Sequence, residues 1–462
     1  MPEPLPEAVL ADLRRIVGVD AVIDDPGRLL AYESDGLTAY RRPPSAVVLP
    51  ADTAQTARVV AVLAGAGVPI VPRGAGTGLS GGALAPPEGV IVGTARMNRI
   101  LQLDAPNRRA VVQPGVVNQH LSDAARPYGL YYAPDPSSQT ACTIGGNVAE
   151  NSGGPHCLKY GVTSRYVTGV TVVRSDASVV ALGGMGREPG GYDLVGLFVG
   201  SEGCFGIATE IEVRLSPLPQ GVRTLLALFN RIEDAGHAVS SIVADGLLPA
   251  ALEIVDGETI RAVEASAYAA GYPTDVDAAL VIEFDGVDAA LDAQAERADV
   301  LCRQAGARDV RRARDPVARQ RLWQGRKKAF GAMGRIASDL LVQDATVPRS
   351  RLPEVLGRIR EIARHYDLRV ANVFHAGDGN LHPNILFDRT NEDEVARVES
   401  ASKAIMRVCV DAGGTITGEH GVGLDKRAYM SLVHGPEELR TQAAVKAVFD
   451  PTGLMNPGKV VP

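Results

Sequence analysis

His375 and His382 flank the run Gly377-Asp378-Gly379-Asn380, and Glu419-His420 follow farther down the chain. Three imidazoles and a carboxylate are the donor set that a divalent metal and a neighbouring general base require. On a straight strand, side chains seven positions apart point to opposite faces. The Asp-Gly pair is a tight-turn signal, so Val373-Phe374-His375 and the segment from His382 to Leu386 are expected to form a hairpin with both imidazoles on one face. Glu419 and His420 are consecutive, and Gly418, Gly421 and Gly423 supply the backbone freedom to turn both toward one pocket. His120, His156, His237, His365 and His434 have no such company and are read as structural.

A second chemical feature is the loop Arg73-Gly74-Ala75-Gly76-Thr77-Gly78-Leu79-Ser80-Gly81-Gly82. Gly76, Gly78 and Gly81 spell the dinucleotide pattern G-x-G-x-x-G, which must open a helix whose N-terminus holds the pyrophosphate. Ala83-Leu84-Ala85-Pro86-Pro87 cannot continue as a helix, so the nicotinamide reading is set aside. What remains is an anion nest of successive backbone N–H groups, assisted by the hydroxyls of Thr77 and Ser80.

These groups need elements to hold them. Ala46 to Leu49 reads as a strand, Thr53 to Leu63 as a helix capped by Asp52 with Gln55 in the capping-box position, and Val68 to Val71 as a second strand. A strand-helix-strand passage spans Arg109 to Tyr132, and a small-residue tract runs from Pro134 to Gly154. After Pro217-Leu218-Pro219, strands near Leu225–Phe229, Leu252–Val255, Ala279–Phe284 and Leu340–Val342 alternate with helices, including Leu352–His365 and Glu392–Val410. That order predicts a mostly antiparallel sheet with helices on one side. The expected division is 1–219, 220–430 and a helix and tail at 431–462.

The chain has 462 residues, a net charge of −7 and five cysteines without a CxxC pair. Interspersed charge argues against nucleic acid, and the cysteine pattern argues against a disulfide framework or an iron–sulfur cluster held by this chain alone. No apolar run reaches membrane length, so a soluble cytoplasmic protein is expected, attached to a membrane only through a partner complex. A homodimer is compatible with these features.

Six blocks in order carry a family resemblance: Pro72 to Gly78, Ile144-Gly145-Gly146-Asn147, Gly200-Ser201-Glu202-Gly203, His375 to His382, Gly418-Glu419-His420-Gly421 and Asn456-Pro457-Gly458-Lys459. Together they resemble the FAD-linked oxidases of the vanillyl-alcohol oxidase fold, in the branch acting on D-2-hydroxy acids, and most of all the FAD-binding subunits of glycolate oxidases. The resemblance implies an α+β protein: a PCMH-type FAD-binding domain of two subdomains, and an α/β cap domain. It places Arg73, Gly74, Ala75, Gly76, Thr77 and Gly78 at the pyrophosphate. Pro134, Asp135, Thr143, Gly146, Asn151, Gly153 and Ile207 line the rest of the cofactor, and Asn456 reaches the isoalloxazine.

It further implies a divalent Zn, Mn or Fe on His375, His382 and Glu419, with His420 as the base. Arg326 would bind the substrate carboxylate, with Asn384 as a further polar contact. Related enzymes with covalent flavin often carry a histidine in the pyrophosphate loop; Arg73-Gly74-Ala75-Gly76 has none, so FAD is expected to be noncovalent. For Lys327 and Lys328 a solvated helix face is the competing reading. Leu341-Val342-Gln343-Asp344 offers no cation, which favours glycolate or D-lactate over 2-hydroxyglutarate. An iron–sulfur subunit is the expected electron-transfer partner. A non-flavin metal enzyme and a noncatalytic flavoprotein subunit are the rival classes.

Overall fold

The computed structural model describes residues 4–184 and 190–462. The chain forms two compact units, one made of the chain up to Gly153, Val162–Leu218 and Glu419–Pro462, the other of Gly154–Gly161 and Pro219–Gly418.

The first unit holds two sheets. In the smaller, strands Ala46–Val48, Val90–Gly93 and Ile70–Arg73 run parallel, with Val22–Ile23 antiparallel at the edge. The helix Thr53–Gly65 that links two of them starts where Asp52 Oδ1 accepts from Gln55 N at 2.7 Å. Gln55 Oε1 reaches back to Ala51 N at 2.9 Å, one residue before the cap. The expected β-α-β pair is therefore present, but Val90–Gly93 lies between its strands. All four of its residues are buried, as befits the centre of a parallel layer. The larger sheet is antiparallel, in the order Ile100–Asp104, Arg109–Val112, Ile207–Arg214, Val167–Val173, Val179–Gly183. The tail returns to the parallel layer: Ile70 N donates to Leu454 O and Asn456 N to Ile70 O, both at 2.8 Å.

The second unit is built on one antiparallel sheet, with Gly221–Phe229, Ala278–Gly286, Ala251–Asp256 and Arg369–His375 as its central strands. Helices were expected on one side only, whereas they cover both. Leu226, Leu228, Val281 and Val373 pack one face against Trp323, Ala329, Met333 and the helix Gly257–Glu264. Leu225, Ala227, Ile254 and Ile282, of opposite parity, are equally buried. The helices Ile232–Ala244, Asp288–Gln304, Leu352–His365 and Glu392–Asp411 also contact strands of this sheet. A strand in the middle of such a layer is buried twice, which is why these segments read as near-continuous apolar runs.

Register within this sheet fixes the chemistry that follows. Arg369–His375 pairs with Asn380–Leu381 and Pro383–Phe387 around a turn at Ala376 to Gly379, with His375 opposite Asn380 and Asn372 opposite Pro383. His382 therefore lies across from Val373, two residues from His375, and the two imidazoles share a face. Gly379 closes the turn at φ 82°, and a Cβ there would collide with the Val347 carbonyl oxygen. Gly379→Ala should lower unfolding stability by about 2–4 kcal/mol, since both the left-handed backbone and the clash oppose it. A urea midpoint equal to that of the parent protein would contradict this account of the turn.

Candidate active site

In the second unit the histidine pair is held from behind. The ring centroids of His375 and His382 are 5.2 Å apart at an interplanar angle of 87°. Glu253 is the cross-strand partner of His375, so the register itself places a carboxylate beside the imidazole. His375 Nδ1 lies 2.8 and 3.0 Å from the two oxygens of Glu253. His382 Nδ1 lies 3.2 Å from Gln343 O. Both acceptors call for a proton on Nδ1, which leaves each Nε2 as the lone-pair nitrogen. Asn384 stands two residues beyond His382 on the same face. Its amide nitrogen donates to Ala371 O at 3.1 Å and His382 O at 2.7 Å, while its buried Oδ1 has no donor among the described residues.

Arg326 comes from the helix Pro316–Lys327, whose cap is Asp315 Oδ1 accepting from Ala318 N. Its Nε donates to Glu253 Oε2 at 2.6 Å, and its Nη2 sits 3.4 Å from His375 Nδ1. Burial alone would raise the Glu253 carboxyl, but His375 and Arg326 outweigh it and hold the group below the usual carboxylate range. A second buried glutamate supports the same helix. Glu283 accepts from Arg319 Nε and Nη2 at 2.8 Å each, from Trp323 Nε1 at 2.6 Å and from Thr224 Oγ1 at 2.6 Å. Positions 319, 323 and 326 lie on one helical face, so two glutamates of one sheet face staple one helix. Lys327 and Lys328 are exposed and lie over the rings of Trp323 and Tyr268. Neither Glu253 nor Glu283 was singled out from the sequence, although each is an acidic residue inside an apolar strand, which was the available signal.

Residues 415–418 end the second unit against the hairpin. Thr417 Oγ1 and Gly418 N donate to Asp344 at 2.5 and 3.1 Å, and a Cβ on Gly418 would enter the Asn380 side chain. Glu419 and His420 are the next two residues, and they open the last stretch of the first unit.

Within the first unit, that stretch is anchored by Glu202. Its carboxylate accepts from Val422 N at 2.6 Å and Gly423 N at 2.7 Å. Gly421 and Gly423 have φ of 79° and 50°, the freedom expected of them. Burial pushes the Glu202 carboxyl up, against the pull of the two amides, Lys426 and Lys459.

The glycine loop fits an anionic group. Among the described residues, the N–H groups of Gly74, Ala75, Gly76, Thr77 and Gly78 find no acceptor within the chain. Five consecutive free amides at the end of strand Ile70–Arg73 form the expected nest. Gly74 packs so closely on the cap residue of the helix Ile144–Glu150 that a Cβ would stand 2.5 Å from Thr143 Oγ1. The side chains of three expected cofactor residues are engaged by the chain itself. The Arg73 guanidinium lies under the loop, donating to Ser34 O at 2.8 Å, while Tyr32 stacks on it at 5.6 Å. Asn456 Nδ2 donates to Gly82 O and Glu202 O at 2.9 and 2.6 Å, and its Oδ1 accepts from Lys459. The Ile207 side chain is in the core with Val173 and Met455, so only its backbone can face a ligand. Asn151 is left-handed and holds Ser164 N at 2.8 Å through Oδ1. Pro134 and Gly153 are buried, and Pro134 O accepts from Asn118 Nδ2 at 2.9 Å. Asp135 lies next to Pro134 in the same segment.

Two family models match, the FAD binding domain over residues 44–183 and the C-terminal domain of FAD linked oxidases over 218–460. The chain belongs to the FAD-linked oxidases. It is accordingly a flavoprotein oxidoreductase. It is 49% identical to the glycolate oxidase subunit GlcD of Escherichia coli, over 98% of this chain and 91% of that one. It is 40% identical to the Bacillus subtilis subunit of the same name, over 98% and 96%. It is 34% identical to a D-lactate dehydrogenase of Anaerostipes hadrus, over 98% and 95%. Among solved structures, p-cresol methylhydroxylase superposes with a TM-score of 0.82 at 17% identity, covering 98% of this chain and 96% of that one, which establishes a shared fold. The expected FAD-binding fold with a mostly antiparallel second sheet is thus confirmed. Among the described residues no helix is long and apolar enough to cross a membrane.

If the nest holds the pyrophosphate, Gly74→Val should drive a side chain into Thr143 and weaken FAD retention at least tenfold, about 1.4 kcal/mol. Flavin-to-protein absorbance after gel filtration measures this, and full stoichiometric FAD in the variant would count against the loop as the cradle.

Proposed function

We propose that the protein oxidises a small D-2-hydroxy acid, glycolate or D-lactate, to the 2-oxo acid, using noncovalent FAD and a divalent metal, Zn, Mn or Fe. The observation that carries the reading is the buried histidine pair: each Nδ1 lies against an oxygen of the chain, so the lone pair of each imidazole is on Nε2, and the same hairpin face bears the undonated Asn384 oxygen. Such a donor set suits a metal, and Glu419, joined to the fixed Gly418, is the third proposed ligand. The names of the relatives, glycolate oxidase subunit and D-lactate dehydrogenase, supply the substrate class.

The residues then divide the work. Arg326, its Nε held by Glu253 and its Nη2 also 3.4 Å from His375 Nδ1, offers its Nη nitrogens to the substrate carboxylate, a guanidinium being the natural partner of that group. Asn384 Oδ1 accepts from the substrate hydroxyl or faces the metal. His420 removes the hydroxyl proton. Bound FAD supplies the hydride acceptor and a bound metal a Lewis acid that orients and acidifies the hydroxy acid. The strand Asp339–Val342 and its continuation favour a small substrate. Gln343 accepts from His382 and Ser402, and Asp344 from Thr417 and Gly418, so neither of these two residues offers a cation to a second carboxylate. Electrons leave for an external acceptor, a separate iron–sulfur subunit in this reading. D-2-hydroxyglutarate is the alternative substrate.

Anaerobic addition of glycolate or D-lactate to the purified protein should bleach the flavin band, and D-2-hydroxyglutarate should do so poorly. Bleaching by the dicarboxylate alone would reassign the substrate, and no bleaching by any of them would reject the reaction.

His420→Ala retains the proposed ligands and Arg326, so it should bind substrate while flavin reduction slows by about 10²–10⁴. Rapid anaerobic mixing of the metal-replete variant measures this step. Reduction at close to the parent rate would remove His420 from the role of base.

A further inference from the structure

Glu253 contributes no group to the substrate in the reading above, yet two of its residues converge on this carboxylate. It is completely buried, and both oxygens lie within 3.0 Å of His375 Nδ1 while Oε2 also takes the Arg326 Nε hydrogen at 2.6 Å. An isolated carboxylate in a core is costly, and a strand glutamate that serves only packing would be replaced at little cost by an apolar residue. Glu283 provides the internal comparison. It lies on the same sheet face, is almost as buried, and binds the same helix through Arg319 and Trp323, but His156 is its only imidazole and none of its contacts belongs to the proposed site. The helix is thus anchored once without the histidine pair and once through it.

We infer that Glu253 is a positioning residue: it fixes His375 in the tautomer that turns Nε2 to the metal and, through its other contact, sets the orientation of Arg326. The inference rests on the metal site proposed above. A carboxylate behind a ligating imidazole raises its basicity and restrains its ring, and removing such a partner weakens metal binding by roughly 10–100-fold. Because the same carboxylate also holds the guanidinium, metal and substrate carboxylate are aligned by one group that touches neither.

The test is Mn²⁺ affinity of the FAD-loaded full chain, followed by the electron paramagnetic resonance of free Mn²⁺, with bound flavin and melting temperature as folding controls. Glu253→Met combined with Arg326→Met removes both charges, so no unpaired ion is left in the core. This neutral pair should fold, retain FAD and bind Mn²⁺ roughly 10–100-fold more weakly. Glu253→Gln keeps an oxygen for Nδ1–H and should recover part of that loss while remaining weaker than the parent. Glu283→Gln should lower the melting temperature and leave Mn²⁺ affinity unchanged. Parent-strength Mn²⁺ binding by the neutral pair would overturn the role of Glu253. If the neutral pair does not retain FAD, Glu253→Gln decides alone, and parent-strength binding by that variant overturns the role equally. His382→Ala separates the two levels: Mn²⁺ binding undiminished in that variant rejects the metal site, and binding lost there but kept in the Glu253 variants rejects only the inference.

Discussion

Cross-strand register between Ala251–Asp256 and Arg369–His375 is the constraint on which the second unit depends. It sets Glu253 against His375, and the hairpin turn then sets His382 on the same face. A slip of one residue would send every one of these side chains to the other side of the sheet. Burial guards against that slip: the opposite face is packed with apolar residues such as Ile254, so the slip would push the Glu253 carboxylate into it and away from its partners. Packing and chemistry are therefore specified by the same pairing. Removing one charge from the buried Glu253–Arg326 pair would cost on the order of 3–5 kcal/mol, far more than a surface pair, so the core is intolerant of partial change here.

The first unit uses a different device. Its glycine loop makes few contacts of its own and is held from below by the Arg73 guanidinium, wrapped by Tyr32 and Ser34. Asp35 shares that environment: burial raises its carboxyl to about 6, against the opposing pull of Arg73. Fixing the loop by a cation beneath it leaves the upper row of amides open, which is the requirement for binding an anion through backbone groups alone.

Much of this was legible in the sequence. The hairpin followed from the Asp-Gly turn signal between the two histidine segments, and the helix Leu352–His365 was read with the bounds it has. The strand Val90–Gly93 was overlooked because four apolar residues between a proline-glycine turn and a loop carry little periodic signal. Glu253 escaped notice for a topological reason: its partner is 122 residues away, and only sheet order brings the two together. Arg73 and Asn456 were expected at the cofactor, but a sequence motif does not say whether a polar side chain faces a ligand or the chain behind it. In both cases the chain behind claims it.

The tail has a consequence for how the molecule comes into being. Asn456 donates to Gly82 O across 374 positions, and Lys459 to Leu84 O across 375. During synthesis, the parallel layer near the nest emerges first yet lacks this edge until residues 454–459 have been made. The intervening unit is continuous apart from one short excursion and can fold on the way. The loop thereby depends on residues made long after it: until Asn456 and Lys459 are in place, nothing from that segment pins Gly82 and Leu84. Closing so long a loop costs entropy that only native packing repays, which makes this step a late one in folding.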